Sequence, residues 1–228
     1  MTDDAVFSAD ELRAFATRGF VAVRGAFPSS VARACVPAVW QEMHARHGVD
    51  RADPITWTNK KVQLDAVWTA DDTTSEPWND VFTVRLQRAV SELLLDDADD
   101  DDDDDQMVLP YGAGWWTITF PGCFPAGEPW GTDGRWHIDG CGARRYLFSH
   151  AIGLVAIFLF SDVHPDAGGT AVADGSHAIA AQVLLDAGLR GCTTAELAAA
   201  VLSDAGRIGG SKNSYARQDE VSFYNIRR

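Results

Sequence analysis

The stretch Trp136-His137-Ile138-Asp139-Gly140 lies between a loop rich in glycine and proline and a long apolar segment. If this stretch is a strand, His137 and Asp139 point to the same face, because alternate side chains of a strand share a face. An imidazole and a carboxylate on one rigid element supply two ligands of the facial triad that holds non-haem Fe(II). A His-x-Asp triplet also arises by chance, as a hydrogen-bonded pair at the surface or in the core. The surrounding sequence therefore has to distinguish a metal site from such a pair.

The segments around this stretch have the alternation and the turn residues of short strands. Residues 115–120 alternate between glycine and proline boundaries, residues 151–160 are apolar and β-branched or aromatic, and residues 170–173 lead to the turn Gly175-Ser176-His177. Strands at hairpin spacing favour an antiparallel sandwich or barrel. The sequence therefore predicts a β core over residues 106–180.

Helices are predicted on both sides of this core. Ser8 and Glu11 form the S-x-x-E pattern of a capping box, which predicts a helix that ends near Gly19. A second helix opens at residue 28 and contains Pro37, which predicts a kink or a later start. Further helices are predicted at 78–94, 178–187 and 193–204, and residues from 206 onward are expected to be irregular. The prediction is one α+β domain over 1–228, with a helical part (1–95), an acidic loop (96–105), the β core (106–180) and a helical and irregular tail (181–228).

Composition and charge exclude several classes of protein. The chain has 228 residues and a net charge of −14, and nine aspartates lie between residues 96 and 105. This tract is expected to be a solvated loop; low-affinity Ca²⁺ capture is the alternative. Without a basic stripe, nucleic acid and anionic membranes are not expected partners. Four scattered cysteines and an acidic N-terminus indicate a reducing, cytoplasmic location.

Four features in this order resemble the phytanoyl-CoA dioxygenase family of Fe(II)- and 2-oxoglutarate-dependent oxygenases. The opening helix and the segment Gly19-Phe20-Val21-Ala22-Val23-Arg24-Gly25 are similar to the start of that family. Residues 120–130 are similar to its loop before the metal strand, and residues 136–140 to its His-x-Asp motif. Residues 151–160, followed by Gly168-Gly169-Thr170 and Gly175-Ser176-His177, are similar to its long strand and its turn.

The resemblance implies a double-stranded β-helix, or jelly roll, with Fe(II) held by His137 and Asp139 and with 2-oxoglutarate as co-substrate. It implies hydroxylation of a small organic substrate, because related halogenases lack a carboxylate at the position of Asp139. The lack of a basic cluster disfavours an acyl-CoA as the substrate.

The end of the chain departs from the family, in which a distal histidine and then an arginine complete the site. No histidine follows His177, so the candidates for a third ligand are His150, His164 and His177. His44 and His47 are expected on a polar helix face rather than at a metal.

The arginine that would pair with the far carboxylate of 2-oxoglutarate is also missing from its usual place. Arg227 and Arg228 lie near the expected position without a preceding histidine, and Arg144 and Arg145 are alternatives for which surface placement is expected. The tail is expected to lack the closing apolar strand, which predicts a jelly roll that is incomplete at the C-terminus. The alternative to an active oxygenase is therefore a truncated or degenerate, non-catalytic family member that acts as a binding protein or is an inactive fragment.

Overall fold

A computed structural model of the 228-residue chain defines the fold. It describes residues 5–57, 62–64, 76–94, 115–120, 137–139, 144–148, 154–163, 170, 172–203, 210–211 and 221–225, the last two ranges by their backbone alone. The acidic tract at 96–105, the loop at 121–134, and the residues His150, His164, Arg227 and Arg228 lie outside these ranges, and so do the predictions made for them.

Five α-helices lie in the described residues, together with three short 3-10 turns at Pro54–Thr56, Asn79–Val81 and Gly188–Arg190. The helices are α1 (Ala9–Arg18), α2 (Ser29–His47), α3 (Val84–Leu94), α4 (Ser176–Ala187) and α5 (Thr194–Ser203).

The predicted opening helix is confirmed in detail. Ser8 caps α1 in a reciprocal capping box with Glu11, and Gly19 ends the helix in the left-handed conformation. The predicted opening of the second helix near residue 28 is also confirmed, because α2 begins at Ser29 and continues through Pro37, which excludes a later start. One boundary differs from prediction. α3 begins six residues after Trp78, because Thr83 Oγ1 accepts a hydrogen bond from Leu86 N and so caps the helix there.

The strands are β1 (Phe20–Val23), β2 (Val62–Leu64), β3 (Trp116–Ile118), β4 (Leu154–Phe158), β5 (Val172–Ala173), β6 (Gly210–Ser211) and β7 (Val221–Asn225). They form a small open sheet in the order β1-β7-β4 and two strand pairs, β2-β3 and β5-β6. All of these pairings are antiparallel. The expected α+β class and the antiparallel pairing are confirmed at this level.

The irregular tail that the sequence predicts after residue 206 is wrong for two segments. β6 pairs with β5, and β7 lies in the centre of the three-stranded sheet, where Tyr224 faces Phe20 on one side and Val155 on the other. The expected lack of an apolar closing strand is therefore corrected. The segment Val221–Asn225 has only five residues, two of them polar, so its sequence does not show the pattern of a strand. It forms a strand because β1 and β4 supply hydrogen-bonding partners on both of its edges.

The predicted strand around His137 and Asp139 is also corrected, because residues 137–139 belong to no strand. Within the predicted strand at 151–160, β4 covers Leu154–Phe158 and all five of its residues are only partly buried. Residues 151–153 lie outside the described ranges. β4 lies at one edge of the sheet described here, so its apolar composition does not translate into full burial.

The main hydrophobic core lies between the helices and the sheet. Helix α2 contributes Ala32, Cys35, Val39 and Met43, and aromatic residues from the loops and strands fill the remaining space. Burial raises the pKa of the Cys35 thiol to about 12, with a smaller contribution from the charge of Asp80. Cys35 is therefore a protonated, apolar member of the core.

A second, smaller core joins α4 and α5 to the segment that carries the His-x-Asp triplet. Leu184, Cys192 and Leu197 form its buried centre, and Ile138 and Leu147 pack against them. None of the helices in the described ranges has the combination of length and hydropathy that a bilayer crossing requires.

Candidate functional site

His137 and Asp139 project together from a segment that Ile138 anchors. Ile138, which lies between them in the chain, packs against the second core. His137 Nε2 lies 3.2 Å from Asp139 Oδ1. The side chains are 68% and 32% exposed, respectively, so both can be reached from solvent. The sequence prediction that these residues share a face is confirmed, although no strand holds them.

This separation can be compared with that of two ligands on one metal ion. Two adjacent ligand atoms in an octahedral site, each about 2.1 Å from the metal, lie about 3 Å apart. The 3.2 Å between the imidazole nitrogen and the carboxylate oxygen is close to that value. The pair therefore fits two neighbouring positions of an octahedral ion, and in the absence of an ion it fits a hydrogen bond equally well.

No cluster of three or more histidine, cysteine, aspartate or glutamate side chains that could hold a metal occurs among the described residues. Of the three candidates for the third ligand, His150 and His164 lie outside the described ranges. The structure thus brings together two of the residues that the sequence predicts as metal ligands, and the third ligand stays a prediction.

His177 has a different role. Its Nε2 lies 3.0 Å from the carbonyl oxygen of Ala16, at the end of α1, and its Nδ1 is buried without a hydrogen bond in the described structure. A Cβ atom on Gly19 would lie 2.4 Å from that Nδ1. The imidazole is therefore packed against the backbone of α1. The turn at Gly175 adds a hydrogen bond from its N–H to the carbonyl of Arg18. His177 joins α4 to α1 and is not positioned beside His137.

His44 and His47 both lie exposed in the last turn of α2. Cationic side chains near a helix C-terminus interact favourably with the helix dipole. The expected polar helix face is confirmed for both residues.

Arg144 and Arg145, which the sequence places together at the surface, have different environments. The Arg144 guanidinium is partly exposed and donates to the carbonyl oxygens of Arg190 (2.8 Å) and Gly191 (3.2 Å). It also lies 3.8 Å from the Glu196 carboxylate. Hydrogen bonds from Thr193, the backbone N–H first, lower the pKa of Glu196, and Arg144 adds to that effect. Arg144 thus connects its own segment, residues 144–148, to the loop between α4 and α5 by hydrogen bonds.

Arg145 is buried, and the expected surface placement is wrong for it. Only 6% of its surface is exposed. Its backbone N–H and carbonyl pair with those of Cys192, at 2.6 Å and 2.9 Å, in an antiparallel bridge. The bridge places Arg145 beside Cys192, which is itself buried. The sequence carried no signal for it, because the partner is far along the chain and a pair of arginines is usually solvated.

Comparisons of the chain with protein-family models, with curated proteins and with solved structures found no match.

Proposed function

We propose that this chain is an Fe(II)- and 2-oxoglutarate-dependent oxygenase that hydroxylates a small organic substrate. The observation that carries the proposal is the convergence of His137 and Asp139 to a spacing of 3.2 Å on a segment anchored by Ile138. We further propose that the antiparallel strands belong to a double-stranded β-helix of the phytanoyl-CoA dioxygenase type, which the order of the sequence motifs supports.

His137 and Asp139 would hold the metal, and the iron with its co-substrate would supply the oxidising power that no amino-acid side chain provides. The task of the chain is to fix the two ligands. Ile138, packed against Leu184, Cys192 and Leu197, limits the motion of the backbone between them. Asp139 would supply the carboxylate that related halogenases lack, which favours hydroxylation. His150 and His164 are the remaining protein candidates for the third ligand.

The test is an anaerobic titration of the purified chain with Fe(II) and 2-oxoglutarate, followed by the visible charge-transfer band. We expect the band to appear. We expect His137→Ala or Asp139→Ala to weaken iron binding by more than about 100-fold, because even residues that only orient metal ligands contribute roughly 10- to 100-fold. His47→Ala, which removes an exposed imidazole at the end of α2, is the control and should leave the titration unchanged.

If His137→Ala binds iron as tightly as the unmodified chain, the His-x-Asp pair is not the metal site and the proposal fails. If the band forms, replacement of His150 and His164 one at a time then identifies the third ligand by the same readout.

A second candidate function follows from the departure of the chain from the family pattern, since no histidine follows His177 in the sequence. A protein that binds the co-substrate or substrate without oxidising it would need no third ligand, and two protein ligands hold iron weakly. Binding of 2-oxoglutarate without release of succinate in air would favour this function over the oxygenase.

A further inference from the structure

The charged residue with the most complete burial in the described part of the chain is Arg145. Its Nε and Nη2 atoms are both shielded from solvent, and neither has a hydrogen-bond partner in the described structure. Arginine side chains stay charged in proteins, so a cationic group lies inside the molecule with two donors unused. Such a group destabilises a fold unless something pairs with it.

The two unused donors belong to the same edge of the guanidinium group. Nε and Nη2 carry nearly parallel N–H bonds, the arrangement that receives the two oxygens of a carboxylate in a bidentate pair. The two donors together therefore match a carboxylate, whereas a single unpartnered donor would indicate no particular class of ligand.

The neighbouring arginine shows how an arginine with a purely structural role is bonded in this segment. Arg144 uses its guanidinium to hold the carbonyl oxygens of Arg190 and Gly191 and lies near Glu196. Nε and Nη2 of Arg145, one position away on the same backbone, have no hydrogen-bond partner in the described structure. Arg144 therefore has a structural role, and the guanidinium of Arg145 is available for a different role.

The backbone that carries Arg145 is fixed on two sides. The bridge to Cys192 holds its N–H and carbonyl. Gly191, in the left-handed conformation at φ 61°, brings the opposing chain so close that a Cβ there would lie 2.6 Å from the carbonyl oxygen of Arg145. A rigid, desolvated donor pair gains more from an incoming anion than a mobile surface arginine does, because less entropy is lost and the local dielectric is low.

From these observations we propose that Arg145 is the binding residue for the carboxylate group of a small-molecule ligand. The ligand is a small organic acid, and its carboxylate pairs with the Nε–Nη2 edge. The second core, which contains Ile138 and Leu147, also joins this segment to the one that carries His137 and Asp139. The proposal does not depend on iron, and it holds whether the acid is the co-substrate or the substrate of the proposed oxygenase.

The experiment measures the thermal stability of the full chain in EDTA, without iron, in the presence of increasing 2-oxoglutarate, succinate or benzoate. We expect a saturable rise in Tm with at least one carboxylate, as binding to the folded state requires. 1,4-Butanediol, which has the carbon skeleton of succinate without carboxylates, is the control ligand and should have no effect. A response to 2-oxoglutarate identifies the co-substrate as the source of the carboxylate, and a response to benzoate alone identifies a substrate acid.

Two substitutions assign the effect to the side chain. Arg145→Lys keeps the charge but loses the bidentate edge, and we expect it to weaken carboxylate binding roughly 10- to 100-fold. Arg145→Met should abolish binding and, without ligand, should leave Tm equal or higher, because the unpaired buried charge is gone. Arg144→Met is the matched control. It should lower Tm and retain the carboxylate response.

The proposal is overturned if no carboxylate raises Tm, or if the rise persists unchanged in Arg145→Lys. An unchanged rise in Arg145→Lys, together with a lower Tm of Arg145→Met, would show that the side chain stabilises the fold and binds no carboxylate. Since EDTA excludes iron from the assay, failure of the iron titration leaves this result intact, and the reverse also holds.

Discussion

Gly19 lies at the C-terminus of α1, where the chain turns into β1 and where His177 packs against it. At the scale of single residues, this glycine has two separate requirements. Its φ of 85° belongs to the left-handed region, which side chains with a Cβ adopt at a cost. A Cβ would also meet the ring of His177, whose Nε2 is engaged by the carbonyl of Ala16. The ring cannot yield without losing that hydrogen bond.

We predict that Gly19→Ala destabilises the protein more than Gly25→Ala does. Gly25 has a φ of 61°, and a Cβ at this position would meet nothing within 4 Å, so it isolates the backbone cost of about 1 kcal/mol. Gly19→Ala should add the displacement of His177, worth about 1–2 kcal/mol. Urea denaturation of both variants measures the difference in the free energy of unfolding. Equal losses for the two variants would show that His177 does not pack as described.

At the scale of secondary-structure elements, α1 and α5 both begin with a capping box. Ser8 and Glu11 exchange hydrogen bonds at the start of α1, and Thr193 and Glu196 do so at the start of α5. The hydrogen bond from the Ser8 hydroxyl, followed by that from its backbone N–H, lowers the pKa of Glu11. Since the folded-state pKa is below the unfolded value, this interaction stabilises the protein above pH 4.5 and is lost as the pH falls through the lower, folded-state pKa.

We predict that Ser8→Ala lowers the free energy of unfolding by about 1 kcal/mol at pH 7. The difference from the unmodified chain should shrink as the pH falls from about 5 to 3, because Glu11 becomes protonated and loses its part of the capping box in both proteins. Ser8→Thr, which keeps the hydroxyl as Thr193 does in α5, is the control and should cost much less. A loss from Ser8→Ala that stays constant with pH would contradict the coupling between Ser8 and Glu11.

At the scale of the whole molecule, the sheet depends on a strand from the far end of the chain. β7 lies between β1 and β4, and these two strands do not pair with one another in the described sheet. Four residue pairs join β1 to β7 and five join β4 to β7. Without β7, both neighbours would lose their backbone partners in this sheet at once.

We predict that removal of residues 221–228 abolishes cooperative unfolding. The loss of every ladder hydrogen bond in the sheet should remove most of the stability, which totals about 5–15 kcal/mol for a typical domain. Removal of residues 226–228 alone is the control, because it leaves β7 complete, and it should preserve a sharp transition. Circular dichroism during heating distinguishes the two. A sharp transition in the chain that ends at residue 220 would show that the sheet does not need β7.

The sequence by itself determined the features that depend on neighbouring residues. The capping box at Ser8, the left-handed end of α1 at Gly19 and the shared face of His137 and Asp139 follow from local geometry, and the structure confirms each of them. The helical regions and the antiparallel strand pairing were likewise predicted, since the 3.6-residue and two-residue periods of apolar side chains record which face is buried.

Only the tertiary structure decided the features that depend on distant partners. Val221–Asn225 forms a central strand because β1 and β4 offer hydrogen-bonding edges on both sides, about 200 and 65 positions earlier in the chain. Arg145 is buried because its backbone pairs with Cys192, while Arg144, of the same residue type, reaches solvent. His177 packs on α1 rather than beside His137 because α4 docks there. Local sequence carries no record of such contacts, because burial is set by what the fold brings alongside a residue rather than by the residue itself.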